Sequence, residues 1–311
     1  VDIPWLEPLK QQLSNQYQQN NLHHALLISG AKGMGKHQFA IELAQGLLCD
    51  SQSGIACGQC KSCLLHTTHA HPDFFIAQDP DAKSIGVDLI RKVVSKAQQK
   101  SQLGGASVFY IPDCDKMTDA SANALLKTLE EPGQNKYLIL TTQASNRLLA
   151  TILSRCQQYQ IRPPKLANLT AWVDAQGVDK NVFETIYQQV NGSPLIALEH
   201  AKSDYLVEHK AFLAEFKLLI TGKTSAFEFS QQFDEANAGQ QLDWLSQAVL
   251  KWLNAKLANP AKSPQQALKG LIISDILSLI AKTKAQMLQS GINKKMLYQS
   301  LCFKVVDKLK S

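Results

Sequence analysis

A glycine-rich run, Gly30-Ala31-Lys32-Gly33-Met34-Gly35-Lys36-His37, follows directly on the apolar segment Ala25–Ser29 and leads into a helix-like stretch, Lys36–Leu48. The order strand, glycine loop, helix constrains the chain more than any other feature. Glycines let the backbone curl so that successive N–H groups and the helix start face an anion, and a lysine at position 36 can reach toward the outer phosphates of a nucleotide. Such a loop belongs at the end of a strand in a parallel sheet.

The surrounding pattern agrees. Up to about residue 165, short β-rich runs (Ala25–Ser29, Phe74–Ala77, Val108–Ile111, Tyr137–Thr141 and Gln158–Ile161) alternate with helical segments (Lys36–Leu48, Val87–Gln99 and Asp119–Glu131), which predicts an α/β architecture covered on both faces. Thr118 is placed to cap the last of these helices and Pro132 to stop it. After Arg162-Pro163-Pro164 the strand signals end, which marks a domain boundary. Residues 165–203 suit a small bundle of short helices. Beyond them, Leu242, Leu245, Val249, Trp252 and Lys256 recur at steps of three and four, and Gly270–Leu288 and Asn293–Lys310 are long and amphipathic.

The loop matches GxxxxGK but carries His37 where a Ser or Thr hydroxyl should hold Mg²⁺, and imidazole is a poor ligand for that oxygen-seeking cation. The acidic residues that should follow a neighbouring strand are displaced as well. Val108–Ile111 runs into Pro112-Asp113-Cys114-Asp115, so Pro112 stands where a metal-holding carboxylate belongs, and Asp113 and Asp115 fit the capping of a turn. These defects predict no nucleotide hydrolysis by this chain and leave ATP binding at Gly30, Gly33, Gly35, Lys36 and His37 doubtful.

Cys49, Cys57, Cys60 and Cys63 form a C-x7-C-x2-C-x2-C cluster between the first helix of the α/β unit and the strand at Phe74. Four close thiolates satisfy tetrahedral zinc, and in a reducing compartment metal binding explains them better than disulfides. An iron–sulfur cluster is the rival reading, and His66, His69 or His71 could replace one thiol. With no position evidently left open for water, the zinc is expected to be structural. Cys114, Cys156 and Cys302 are isolated and read as small core residues.

Composition adds exclusions. At 311 residues, with 45% hydrophobic residues, the chain is too apolar for disorder and long enough for more than one core. No apolar run approaches a membrane span, and a cytoplasmic protein with no membrane contact is expected. The net charge of +6 permits phosphate contact, but only four of the 32 basic residues are Arg, so direct nucleic-acid binding is not demanded. The same scarcity argues against a free-standing phosphate-loop kinase, which needs an Arg-rich lid.

Taken together, His24-Ala25-Leu26-Leu27 before the loop, the four-Cys insertion, the segment Asn123-Ala124-Leu125-Leu126-Lys127-Thr128-Leu129-Glu130-Glu131-Pro132, and Thr151-Ile152-Leu153-Ser154-Arg155-Cys156 closely resemble bacterial clamp-loader subunits. These are AAA+ proteins that open a ring-shaped sliding clamp and place it on primed DNA. The likeness is strong over about residues 4–165, fair to 203, and rests on helical pattern beyond. It implies an α/β AAA+ phosphate-loop domain with a zinc-binding insertion (residues 1–164, zinc module at about 49–63), a small helical lid domain (165–204) and an all-α carboxy-terminal collar domain (205–311).

The family's motor subunits would carry Thr or Ser at His37, Asp-Glu at Pro112-Asp113, and a phosphate-sensing Arg at Leu195. The chain therefore resembles the family's non-hydrolysing, stator-like member, the alternative being an ATP-hydrolysing motor-type subunit. The resemblance further implies that Arg155 acts as an arginine finger in the ATP site of a neighbouring subunit. Its implied partners are gamma/tau motor subunits and a delta subunit, with the sliding clamp and primed DNA met through the complex. Lys127, Glu130 and Glu131 are left free for solvent, a neighbour or DNA.

Overall fold

The structure is a computed structural model that describes residues 3–79, 82–257, 265–287, 289 and 291–310. The chain divides into two compact units, residues 1–203 and 204–311.

The first unit is built on five strands, β1 (Ala25–Ser29), β2 (Phe74–Ile76), β3 (Ser107–Ile111), β4 (Lys136–Thr142) and β5 (Gln157–Gln160), in the order β2-β3-β4-β1-β5. Every pairing is parallel. Helix α1 (Glu7–Gln18) precedes the first strand; parallel strands need crossovers, and α2 (Lys36–Leu48), α3 (Lys61–Thr67), α4 (Val87–Ala97), α5 (Asp119–Glu130) and α6 (Ala150–Leu153) supply them, followed by the short helices α7 (Thr170–Ala175), α8 (Lys180–Gln189) and α9 (Pro194–Ala201).

Strand side chains alternate between two cores, as a pleat requires. Leu26, Ile28, Val108, Tyr110 and Ile139 pack with Leu13 of α1 and Phe39, Leu43 and Leu47 of α2. Ala25, Leu27, Phe109, Ile111, Leu138 and Leu140 pack with Ile90 and Val93 of α4, Leu125 and Leu129 of α5, and Ile152 of α6. The strand bounds fall within one residue of the predicted ones. Thr118 caps α5 by accepting from the Ser121 amide at 3.2 Å, and the helix stops at Glu130, two residues before Pro132. Three α-helices of this unit escaped the sequence reading: α1, α3 inside the cysteine cluster, and the four-residue α6.

The second unit is helical: α10 (Tyr205–Ile220), α11 (Ala226–Gln231), α12 (Ala238–Leu257), α13 (Gln265–Met287) and α14 (Lys294–Lys310). A reciprocal box starts α11, with the Ser225 hydroxyl accepting from the Glu228 amide and Glu228 accepting from the Ser225 amide. Leu242, Leu245 and Val249 are buried as their spacing predicted, and Trp252 is half-buried; the side chain of Lys256 and the predicted end at Leu288 lie outside the described residues. Among the described residues no helix is long and apolar enough to cross a membrane.

Candidate functional site

β1 is buried until Ser29, where the chain turns into the glycine loop at the carboxyl edge of the sheet. Gly33 and Gly35 adopt φ values of +78° and +84°, which side-chain-bearing residues rarely hold, and Gly35 caps α2 from that left-handed state. A Cβ at Gly33 would stand 2.6 Å from Cγ1 of Ile196, and one at Gly35 would stand 2.6 Å from Cδ1 of Ile3. Both glycines are therefore demanded twice, by torsion and by the side chains lying over the loop.

Five consecutive loop carbonyls each have a donor. Lys36 Nζ donates to Gly30 O at 2.7 Å and to Ala31 O at 2.8 Å. The Ser193 hydroxyl donates to Lys32 O at 2.7 Å, the Leu195 amide to Gly33 O at 3.1 Å, and Trp5 Nε1 to Met34 O at 3.0 Å. Lys36 is only 7% exposed, and burial lowers its pKa against the opposing charges of Asp113 and Asp115. Trp5 meets the edge of Trp172, which in turn meets Phe183, so an aromatic row joins the amino-terminal segment to α7 and α8.

The residues around the defective positions are also engaged. His37 Nδ1 lies 3.0 Å from the Tyr110 hydroxyl, which lies 3.2 Å from Thr141 Oγ1, joining α2 to β3 and β4. Burial pushes the Tyr110 phenol up to about 12, so it stays protonated. Asp113, in a left-handed turn (φ 45°), accepts from Lys116 Nζ at 2.8 Å; burial works to raise its pKa, but the hydrogen bond and charge of Lys116 outweigh it and hold the carboxyl low. Asp115 accepts from the Thr142 hydroxyl at 2.6 Å and from the Gln143 amide at 3.3 Å. Both carboxylates thus hold the turn after β3.

The sulfurs of Cys49, Cys57, Cys60 and Cys63 all lie within 4.8 Å of one another. The Cys49–Cys60 and Cys57–Cys63 separations are 3.8 and 4.0 Å. Ligands about 2.3 Å from a tetrahedral centre stand about 3.8 Å apart, so the four sulfurs are spaced to hold a metal ion of that kind with no more than a small contraction. Amides support them: Cys57 N, Cys60 N and Cys63 N donate to the sulfurs of Cys49, Cys57 and Cys60, each at 3.4 Å. Burial tends to raise the Cys49 thiol, yet hydrogen bonds from Ser51 and Cys57 draw it down to about 6, whereas burial pushes Cys63 up to about 12. A central cation would bring both to thiolate. The three histidines stand outside this group. His66 is buried against Phe74, His71 accepts from the Asp73 amide, and His69 is exposed.

Arg155 lies elsewhere. It follows α6 and precedes β5, whose first residue, Gln157, is level with Leu26 near the start of β1, while the glycine loop lies beyond the end of β1. Arg155 and Lys36 thus stand at opposite ends of the sheet. The guanidinium donates through Nε to Glu130 Oε1 at 2.7 Å and through Nη2 to the same oxygen, while Nη1 reaches Thr151 O at 3.0 Å and Ser154 Oγ at 3.3 Å. Glu130, expected to be free, is its ion-pair partner.

These features define a parallel α/β protein whose glycine-loop carbonyls are each engaged by a donor of the same chain, with a separate four-thiol cluster. The sequence profile described as DNA polymerase III, delta subunit matches residues 5–165. DNA polymerase III subunit delta' of Haemophilus influenzae is 35% identical over 255 residues, covering 82% of this chain and 78% of the relative; that of Escherichia coli is 37% identical over 204 residues, covering 65% and 61%. A DNA polymerase III gamma subunit-related protein of Thermotoga maritima aligns with 98% of this chain and 99% of its own at 16% identity and a TM-score of 0.46. The chain belongs to the family of DNA polymerase III delta' subunits.

Proposed function

We propose that this chain is the non-hydrolysing, stator-like subunit of the DNA polymerase III clamp loader, helping to place the sliding clamp on primed DNA and supplying Arg155 in trans to a neighbouring ATPase subunit. On this reading it assembles in the cytoplasm with gamma/tau motor subunits and the delta subunit, and meets clamp and DNA through the complex. Residues 1–164 act as the AAA+ domain, 165–204 as the lid and 205–311 as the collar. Cys49, Cys57, Cys60 and Cys63 hold one structural zinc, which staples the insertion and takes no part in phosphate chemistry.

The observation that carries the reading is the polarity of the sheet. Arg155 precedes β5 while the chain's own phosphate loop follows β1, so a guanidinium there meets a triphosphate only when another molecule brings one. A permanently charged, planar group suits that task, because it stabilises charge developing on the transferred phosphoryl group. The same reading accounts for a His and a Pro at positions where hydrolysis needs metal ligands.

The test is a reconstituted complex carrying Arg155→Ala. Assembly is expected to survive, while ATP turnover at the served site falls by about a thousandfold, the lower range for loss of an arginine finger. Unchanged turnover in an assembled complex overturns the assignment.

A further inference from the structure

The Arg155 guanidinium has five N–H donors, and four are engaged by its own chain: Nε–H and one Nη2–H by Glu130 Oε1, and the two of Nη1 by Thr151 O and Ser154 Oγ. A phosphate is gripped through a pair of parallel N–H groups. With one donor left, the guanidinium as arranged offers no such pair. Glu130 also places a carboxylate where an incoming polyphosphate would meet repulsion. Its position is set by the fold, since it is the last residue of α5, beside Leu129, whose side chain is buried and whose carbonyl meets His24 Nε2 at 2.7 Å.

We propose that Glu130 is a positioning residue that holds Arg155 retracted on its own subunit, so that docking against a neighbouring nucleotide proceeds by exchange of the Glu130 carboxylate for phosphate oxygens. This regulatory step rests on the finger reading above. The pair suits a release mechanism because it is partly exposed, with side chains 31% and 49% accessible. Such ion pairs hold an equilibrium by no more than about a fivefold factor and weaken as salt rises. The latch thus keeps the finger ordered in the free subunit, yet a triphosphate with several charges displaces it.

The experiment compares wild type, Glu130→Gln, Arg155→Ala and the double variant in reconstituted complexes, with matched assembly and thermal midpoints as the folding control. Glutamine keeps the shape and a weak acceptor while removing the charge. The expected result is a rise in kcat for ATP of about two- to fivefold with KM little changed, shrinking as salt is raised, and no effect of Glu130→Gln in the Arg155→Ala background. In the isolated subunit, the Arg155 Nε–H resonance should show faster solvent exchange in Glu130→Gln. A kcat that falls or stays level, or that rises equally without Arg155, overturns the proposal. Should Arg155→Ala leave turnover unchanged, the finger reading fails instead, and the two failures are told apart.

Discussion

Lys36 Nζ sits 2.7 Å from the carbonyl of Gly30, six residues back in the loop whose phosphate it would serve. With a second bond to Ala31, the ammonium ties the loop shut across the start of α2. Hydrogen bonds to charged groups contribute about 1.5–3 kcal/mol. Lys36→Met should therefore lower stability by about 2 kcal/mol, read as a shift of the denaturant midpoint. Background Mg²⁺-dependent ATPase activity of the isolated chain should not change. A robust wild-type rate abolished by the substitution would reverse the assignment and make this a motor-type subunit.

The contacts that Ser193 and Ile196 make with the glycine loop give a second prediction. Gly33→Ala must force an alanine to φ +78° and drive its methyl into Ile196. Strain of this kind costs about 1–3 kcal/mol, and the contact with Ile196 adds to it. Ser193→Ala removes only the hydroxyl bond to Lys32 O and should cost about 1 kcal/mol. Proteolysis between residues 162 and 193 should be faster in both variants; equal cleavage rates in all three proteins would show that these contacts do not secure the short helices.

Much of the first unit was legible because its signals are local. A buried parallel strand such as Ala25–Ser29 must be apolar on both faces, and the Thr118 cap acts three residues away. The cysteine cluster was readable for the same reason, since close spacing alone brings the thiols together. Helix α1 was hidden because Leu9, Leu13 and Tyr17 are outnumbered by glutamines, and α3 because seven residues are too few for periodicity. The long-range contacts onto the glycine loop were not legible at all. Ser193 and Lys32 are 161 residues apart, Trp5 and Met34 29 apart, and no pattern in either segment announces the other. Glu130 was misjudged because its face of α5 looks solvent-exposed until Arg155 returns to it from 25 residues on.

Metal content tests the thiol cluster. Purified protein should carry about one zinc per chain, and Cys57→Ser or Cys60→Ser should release most of it. Because every thiol must be deprotonated to bind, zinc should also be lost as pH falls, with the thermal midpoint falling alongside. A fully folded protein without metal, insensitive to a strong chelator, would remove the structural role.

His209 of α10 supplies a pH dependence in the second unit. It is buried against Tyr205 and Trp244, and its Nε2 has no hydrogen-bond partner among the described residues. Burial, reinforced by the charge of Lys251, holds its pKa below the ordinary 6.5. The unfolded chain then binds a proton that the folded unit refuses, so stability is complete above about pH 7 and declines as pH falls through 6.5 toward the lower folded value. Denaturant midpoints at pH 8, 7, 6 and 5 should fall less steeply in His209→Phe than in wild type. Parallel curves would rule out this origin for any acid sensitivity.

Restoring the missing hydroxyl is the sharpest test of why the loop is silent. If His37 were the sole defect, His37→Thr would create a magnesium ligand and with it an ATPase. The geometry argues otherwise. Pro112 offers no side-chain oxygen, Asp113 is paired with Lys116, Asp115 is spent on Thr142 and the Gln143 amide, and the Lys36 ammonium is committed to the Gly30 and Ala31 carbonyls. His37→Thr should leave hydrolysis at background. It should also cost about 1 kcal/mol, because the Tyr110 hydroxyl loses one of its two partners while keeping Thr141. Turnover appearing in that single variant would mean that the contacts of Lys36, Asp113 and Asp115 give way readily to nucleotide, and they would have to be regarded as the resting state of a competent site.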